Sequence, residues 1–368
     1  EVTSLNGSVG GQDNITVGSG YNVVAGGANS DTIAVNGTTA SARGIVLGDN
    51  GKLVLDNAGT LLSIESTDFA SGAADIIQLT AGTNAVIGGA GADQITAGSG
   101  SNTILGDDGQ AFFFANGDLR LIESINLGNG DDDIITLQDG SNSVIAGAGN
   151  DTISVGAGSN FVFGDEGKRE VLTDGGGNPT GTTEVTSLNG SVGGQDGITV
   201  GSGYNVAVGG ADVDTIMVNG TTPAARGIVL GDNGKLVLDN AGTLLSIEST
   251  DFASGAADII QLTAGTNAIV GGRGADQITA GTGNNTILGD DGQATFFGNG
   301  DLEEIQSTNP GSGGDDQISL QAGTNVVIGG AGNDSVSAAS GTNTILGDEG
   351  RATLFTDGTL KLILSTNL

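Results

Sequence analysis

The chain has 368 residues, 70 of them glycine, with 10 Lys+Arg against 43 Asp+Glu, a net charge of −33, and no Cys, His or Trp. This balance argues against a nucleic-acid partner, whose phosphates demand basic surface, and it rules out a disulfide framework and serves zinc poorly. Glycine at this level signals either disorder or a periodic structure, and the recurrence of apolar clusters such as Ala85-Val86-Ile87 in register points to the second. No apolar run reaches 18 residues, so no membrane insertion is expected. The chain opens at Glu1 rather than Met, which reads as a processed product or a segment of something longer.

Repeats appear at three scales. EVTSLNGSVGGQD at residue 1 returns at residue 184, and Arg43–Asn84 is identical to Arg226–Asn267, so two β-roll modules are expected, at 1–183 and 184–368. Within them a GD[DNE]G tetrad begins at Gly48, Gly106, Gly164, Gly231, Gly289 and Gly347, at spacings of 58, 58, 67, 58 and 58. The long interval holds the loop TDGGGNPTGTT at 173–183, where the modules meet.

Inside each unit the period is nine, and one column alternates acid and amide. It opens with Asp13, Asn22 and Asp31 and continues through Asp75, Asn84, Asp93 and Asn102, then Asp133, Asn142, Asp151 and Asn160. The second module carries Asp196, Asn205, Asp214, then Asp258, Asn267, Asp276, Asn285, then Asp316, Asn325, Asp334 and Asn343. A period of nine fits half of an 18-residue coil, made of a six-residue Gly-rich turn and a three-residue strand, twice. Successive coils would stack their strands as parallel ladders about 4.8 Å apart around a thin apolar core. A helix is excluded by the glycines, each costing roughly 1 kcal/mol mid-helix.

The expected fold class is therefore all-β, a right-handed parallel β-roll or β-solenoid of about 18-residue coils. Each 58-residue unit leaves 22 further residues, such as GDDGQAFFFANGDLRLIESINL from Gly106, which read strand, turn, strand. They form either a wider third coil or a hairpin on the flank; KLVLDNAGTLLSIES at 52–66 fits both. If the third coil were real, eighteen rungs would give a segment on the order of 90 Å long. The Phe112–Phe114 cluster reads as packing.

GGAGADQIT (88–96), GGRGADQIT (271–279) and GGAGNDSVS (329–337) share the pattern GGxGxDxUx, with U a large apolar residue, and AGAGNDTIS (146–154) misses only its first glycine. In these segments the chain resembles the RTX (repeats-in-toxin) calcium-binding β-roll family, as found in large bacterial surface adhesins and fibres. The resemblance implies turns that wrap Ca²⁺ between an Asp carboxylate and backbone carbonyls of adjacent coils. Stacking alone argues the same way. Two carboxylates about 5 Å apart repel by roughly 3 kcal/mol at an effective dielectric of 20, and ten basic residues cannot offset a whole column. A hard cation would turn that repulsion into attraction, and calcium suits flexible oxygen ligands better than magnesium does.

The expected metal ligands are thus Asp13, Asp31, Asp75, Asp93, Asp133, Asp151, Asp196, Asp214, Asp258, Asp276, Asp316 and Asp334. A solvated Asp in each turn is the plain alternative, but it predicts occasional Asn, Ser or Gly at positions that are all Asp. The tetrad acids Asp107, Asp165, Asp290 and Asp348, with Asp49 and Asp232, would either add a second carboxylate or sit exposed in tight turns. On the opposite edge the turns read LTAGTN or AGSGSN, which departs from the family pattern and suggests an amide ladder instead of calcium.

No general base or activated nucleophile stands out, and the paired carboxylates repeat with the period, so no enzyme is expected. The function anticipated is an extracellular calcium-stabilised repeat of a bacterial surface or matrix fibre, self-associating end to end or continuing a longer array, with a cell-surface or matrix polysaccharide as a further partner. A secretion and folding module of a larger toxin or enzyme is the alternative. Ice binding, known in an RTX-like adhesin, is disfavoured by Ala where the turns would need Thr.

Overall fold

A computed structural model describes residues 1–4 and 10–366. One coil shows how the nine-residue pattern becomes structure. After the turn Gly88–Asp93, the strand Gln94–Ala97 buries Ile95 and Ala97 completely while Gln94 faces solvent. The chain turns again and returns as Gly100–Leu105, which turns Ile104 toward Ile95 in one apolar cluster and Leu105 into another. Alternation with a period of two sends neighbouring residues to opposite faces. The first strand is thus half-buried and the second buried on both sides.

Identical registers stack the coils. Gln94–Ala97 pairs in parallel with Ile76–Leu79 and Ile134–Leu137, and Gly100–Leu105 pairs with Gly82–Ile87 and Gly140–Ile145. The ladders run unbroken past residue 183, where Thr152–Val155 pairs with Gly197–Val200 and Gly158–Phe163 with Gly203–Val208. Between the two faces lies a continuous line of Ile, Val and Leu, including Ile33, Ile77, Ile95, Ile135 and Ile153. Each such side chain contributes about 1.5–3 kcal/mol on burial.

The 22-residue segments are hairpins. Gly51–Leu55 pairs antiparallel with Leu61–Ser66, and Gly109–Phe113 with Leu119–Ser124. Consecutive hairpins pair with each other in turn to make one 13-stranded antiparallel sheet along the rod. A third coil would have left the outward residues of the second strand, such as Leu47, Ile87, Leu105 and Ile145, facing water. The hairpins cover them with Leu53, Ile64, Ala111 and Ile122, all buried in the same cluster. The molecule is therefore three layers thick, and its coils stack as twelve rungs among the described residues, from Asn14–Val17 to Ser335–Ala338. That corrects the expected length to about 58 Å.

The insertion point is visible in the spacing. In an uninterrupted turn the opening glycine precedes the aspartate by five residues, as Gly88 precedes Asp93; where the hairpin enters, as between Gly106 and Asp133, the gap is 27. Every tetrad is thus a turn of the Asp edge into which a hairpin has been spliced. The hairpin folds back across the second face, so its tip overhangs the opposite, Asn-bearing edge.

Candidate metal centre

The two edges of the roll solve the problem of stacked polar side chains differently. On one edge, the Nδ2 of Asn84 donates to Oδ1 of Asn102 at 2.8 Å, and Asn102 to Asn142, Asn142 to Asn160 and Asn160 to Asn205 follow at the same distance. The second module repeats this from Asn267 through Asn285 and Asn325 to Asn343. The other amide hydrogen goes to the carbonyl four residues back, as from Asn160 to Gly156 at 3.0 Å. Where Gly44 and Gly227 occupy the column, their backbone N–H donates instead, to Asn84 and Asn267 at 3.1 Å. This edge closes on itself, as the sequence suggested.

On the other edge, each aspartate uses Oδ1 to accept the backbone N–H of the aspartate one coil before it. Eleven such bonds, 2.6–3.0 Å long, link Asp13, Asp31, Asp75, Asp93, Asp133, Asp151, Asp196, Asp214, Asp258, Asp276, Asp316 and Asp334. Asp31 through Asp316 are at most 3% exposed, whereas Asp13 is exposed and Asp334 half-buried. From Asp31 onward the second oxygen, Oδ2, is buried with no hydrogen-bond partner.

The surroundings of that oxygen are also acceptors. A Cβ on Gly88 would meet Asp93 Oδ2 at 2.1 Å and the Gly106 carbonyl oxygen at 2.4 Å. The same pairing recurs at Gly48 (Asp75 and Gly88), Gly209 (Asp214 and Gly231) and Gly289 (Asp316 and Gly329). Each opening glycine therefore leaves a hollow between a carboxylate oxygen and a carbonyl oxygen of the next coil. Leaving a buried charged acceptor unpaired is expensive, so the hollow calls for a proton or a cation.

Electrostatics sharpen the choice. Burial pushes the metal-free acids up, and at all of these but Asp258 a neighbouring carboxylate adds to it: Asp75 and Asp151 rise to about 7, Asp258 and Asp316 to about 8, Asp196 to about 9 and Asp214 to about 11. Asp93, Asp133 and Asp276 are raised for the same reasons. The ion pairs among the described residues, such as Lys52 with Glu65 and Lys168 with Glu170, belong to the hairpin sheet and leave the column without counter-ions. No three acidic side chains converge on one point among the described residues. A cation here would complete its shell with carbonyls, which is the donor set a hard ion such as calcium prefers.

The tetrad acids hold a different position. Asp107 Oδ2 accepts the N–H of Ala148 at 2.8 Å and its Oδ1 that of Asp131 at 3.4 Å. Asp165 takes Ala211 and Gly194, Asp290 takes Ala331 and Gly314, Asp232 takes Arg273 and Ala256, and Asp49 takes Ala90. These five are buried, not exposed in tight turns, and they tie each hairpin's return to the next coil's turn; Asp348 is exposed.

Sequence reasoning missed the residue beside them, which runs Asn50, Asp108, Glu166 and again Asn233, Asp291, Glu349. Glu166 and Glu349 each accept a backbone N–H, from Gly128 and Gly311, and keep a buried Oε2 without a partner. The lengthening side chain in each unit was the available signal.

The family model described as RTX calcium-binding nonapeptide repeat (4 copies) matches residues 9–37, 70–112, 136–168, 254–296, 310–345 and 321–354. These segments together span more than half of the chain and coincide with the stacked turns. No curated protein matches the chain.

Proposed function

The chain belongs to the RTX calcium-binding nonapeptide repeat family, whose repeats bind Ca²⁺ at multiple sites, and we propose that it works as an extracellular, calcium-stabilised structural rod of a bacterial surface or matrix fibre. The observation that carries this reading is the file of buried Oδ2 atoms, nine of which face a glycine carbonyl of the next coil and one, that of Asp133, the Ala146 carbonyl. Calcium supplies positive charge and a cross-link between rungs. Asp31, Asp75, Asp93, Asp133, Asp151, Asp196, Asp214, Asp258, Asp276, Asp316 and Asp334 would hold it through Oδ2, and Asp13 would close the series. Asp107, Asp165 and Asp290 would shape the turns through their N–H bonds, with Asp348 as the tetrad's final member. Metal binding is then folding free energy.

The role is mechanical, not catalytic. What supports this is that the carboxylates repeat with the coil instead of gathering at one place. Residues 1–183 and 184–368 act as two modules of one rod, and the pairing of Thr152–Val155 with Gly197–Val200 is the template for joining modules, within a chain or between copies. A glycan of the cell surface or matrix is the partner such a fibre would meet. The decisive test is far-UV circular dichroism during calcium titration and chelation. Strand signal should rise with calcium and fall with chelator; signal unchanged by chelation would remove the metal role. Electron microscopy in calcium separates a fibre, seen as filaments, from a folding module of a larger secreted protein, seen as discrete particles.

A further inference from the structure

Beneath the hairpin tips, along the Asn edge, the second face carries one column of side chains that runs the length of the rod. Its rungs read Tyr21, Arg43, Thr83, Ser101, Ser141, Ser159 and then Tyr204, Arg226, Thr266, Asn284, Thr324, Thr342, in parallel register throughout. Each module thus presents a phenol, a guanidinium and four hydroxyl or amide groups in the same order. The overhanging tips roof this column into two grooves. One, of about 730 Å³, has Arg43 through Ser159 as its floor and Phe113, Phe114 and Arg169 among its walls. The other, of about 410 Å³, has Arg226 through Thr342 as its floor and Phe296 at its side.

The arginines are the anomaly. In a chain of net charge −33, Lys52, Arg120, Lys168, Lys235 and Arg351 each form an ion pair. Among the described residues five basic side chains have no carboxylate within 4.0 Å; Arg273 and Lys361 lie away from the grooves, and Arg43, Arg169 and Arg226 line them. Arg169 lies with its guanidinium 4.3 Å from the centre of the Phe161 ring, and its Nε is buried without a partner. Arg226 reaches under the next hairpin tip, 3.8 Å from where a Cβ on Gly300 would stand. A guanidinium held in place by an aromatic ring and left unpaired is set to receive an oxyanion in a bidentate geometry.

We propose that these grooves bind an extended, carboxylate-bearing polysaccharide, one segment per module. This rests on the proposed meeting of the rod with an extracellular glycan and names the site and the chemical class. The floor gives a hydrogen-bonding side chain on every rung, about 4.8 Å apart, a spacing close to one sugar residue in an extended chain. Sugar hydroxyls match such a floor, and phenylalanine walls suit the apolar faces of pyranose rings. A peptide fits less well: the strand main chain here is already spent in the ladders, so no β-augmentation is open to it. The anionic class follows from the unpaired arginines, which outnumber the one acid, Asp118, along the first groove. Asp301 and Asp357 share the lining with Arg226 and make the second groove the weaker site. At physiological salt the Debye length of about 8 Å screens the acids beyond the grooves.

The test uses the full calcium-loaded chain and isothermal titration with hyaluronan oligosaccharides, dextran oligosaccharides and a poly-glutamate peptide at fixed free calcium. Hyaluronan should bind. The double variant Arg43→Gln/Arg226→Gln should weaken it about tenfold or more, while its circular dichroism and calcium response stay those of the parent. Arg43→Lys/Arg226→Lys, which keeps charge but loses the fork, should fall between. Arg169→Gln should weaken only the first-module site, since Ala352 stands at the equivalent place in the second. No hyaluronan binding, binding indifferent to the arginines, or equal binding of poly-glutamate would overturn the proposal. The calcium reading is judged separately, by chelation in the absence of glycan.

Discussion

Asp93 and Asn102 lie nine residues apart in one coil, and one atom decides their different fates. The amide carries its own donor and so completes the chain from Asn84 to Asn142; the carboxylate has two acceptors and one donor to meet them. Asp93→Asn should therefore stabilise the metal-free protein, because the new Nδ2 can donate to the Gly106 carbonyl while Oδ1 keeps the Asp75 N–H, and should weaken calcium binding at that turn. Thermal melts in chelator and in calcium would show shifts of opposite sign. Asn142→Ala strands the amides above and below it and should cost about 1–3 kcal/mol in both conditions. The sign for pH follows from the same acids. Their folded pKa values are raised above the ordinary 3.8, to about 7 for Asp75 and Asp151. Protonation therefore supports the metal-free fold below about pH 4, and that support is lost as pH rises through 7 and beyond. Chelated protein should show more strand signal at pH 5 than at pH 8, with calcium erasing the difference.

At the scale of elements, the hairpins let a glycine-rich ribbon own a second core. Ile122 is 1% exposed in the layer between hairpin and roll, so Ile122→Ala should cost about 2–5 kcal/mol, read from the urea midpoint, with calcium affinity unchanged. The coil itself was legible in the sequence: a nine-residue column of Asp and Asn leaves little choice of period, and the amide ladder followed from Asn84 and Asn102 sharing a face. The hairpin was not, because AFFF-ANGD-LRLIES satisfies a flanking hairpin and a third coil alike, and strand propensity carries no information on the pairing partner. The 27-residue gap from Gly106 to Asp133, 22 longer than that from Gly88 to Asp93, held the answer as an insertion within a turn. The buried oxygens of Glu166 and Glu349 were missed because a single tetrad does not distinguish an acid folded inward from one in water; only the series Asn50, Asp108, Glu166 across units carried a signal.

For the whole molecule, a formal charge of −33 on 368 residues makes compactness depend on counter-ions, since self-repulsion opposes the folded state. Small-angle scattering in calcium should return a rod about 58 Å long, and chelation near neutral pH should enlarge the radius of gyration. A site bathed in ligand at a hundred times its dissociation constant adds about 2.7 kcal/mol, and a file of such sites multiplies the effect. The unequal margins of the roll give this response a shape. The amide side owes nothing to any ion, so withdrawing calcium should slit the barrel lengthwise along its acidic seam and let it gape like a book on an intact spine. Hydrogen exchange would find that spine still protected, around Asn102, Asn142 and Asn160, after the opposite margin has begun to exchange.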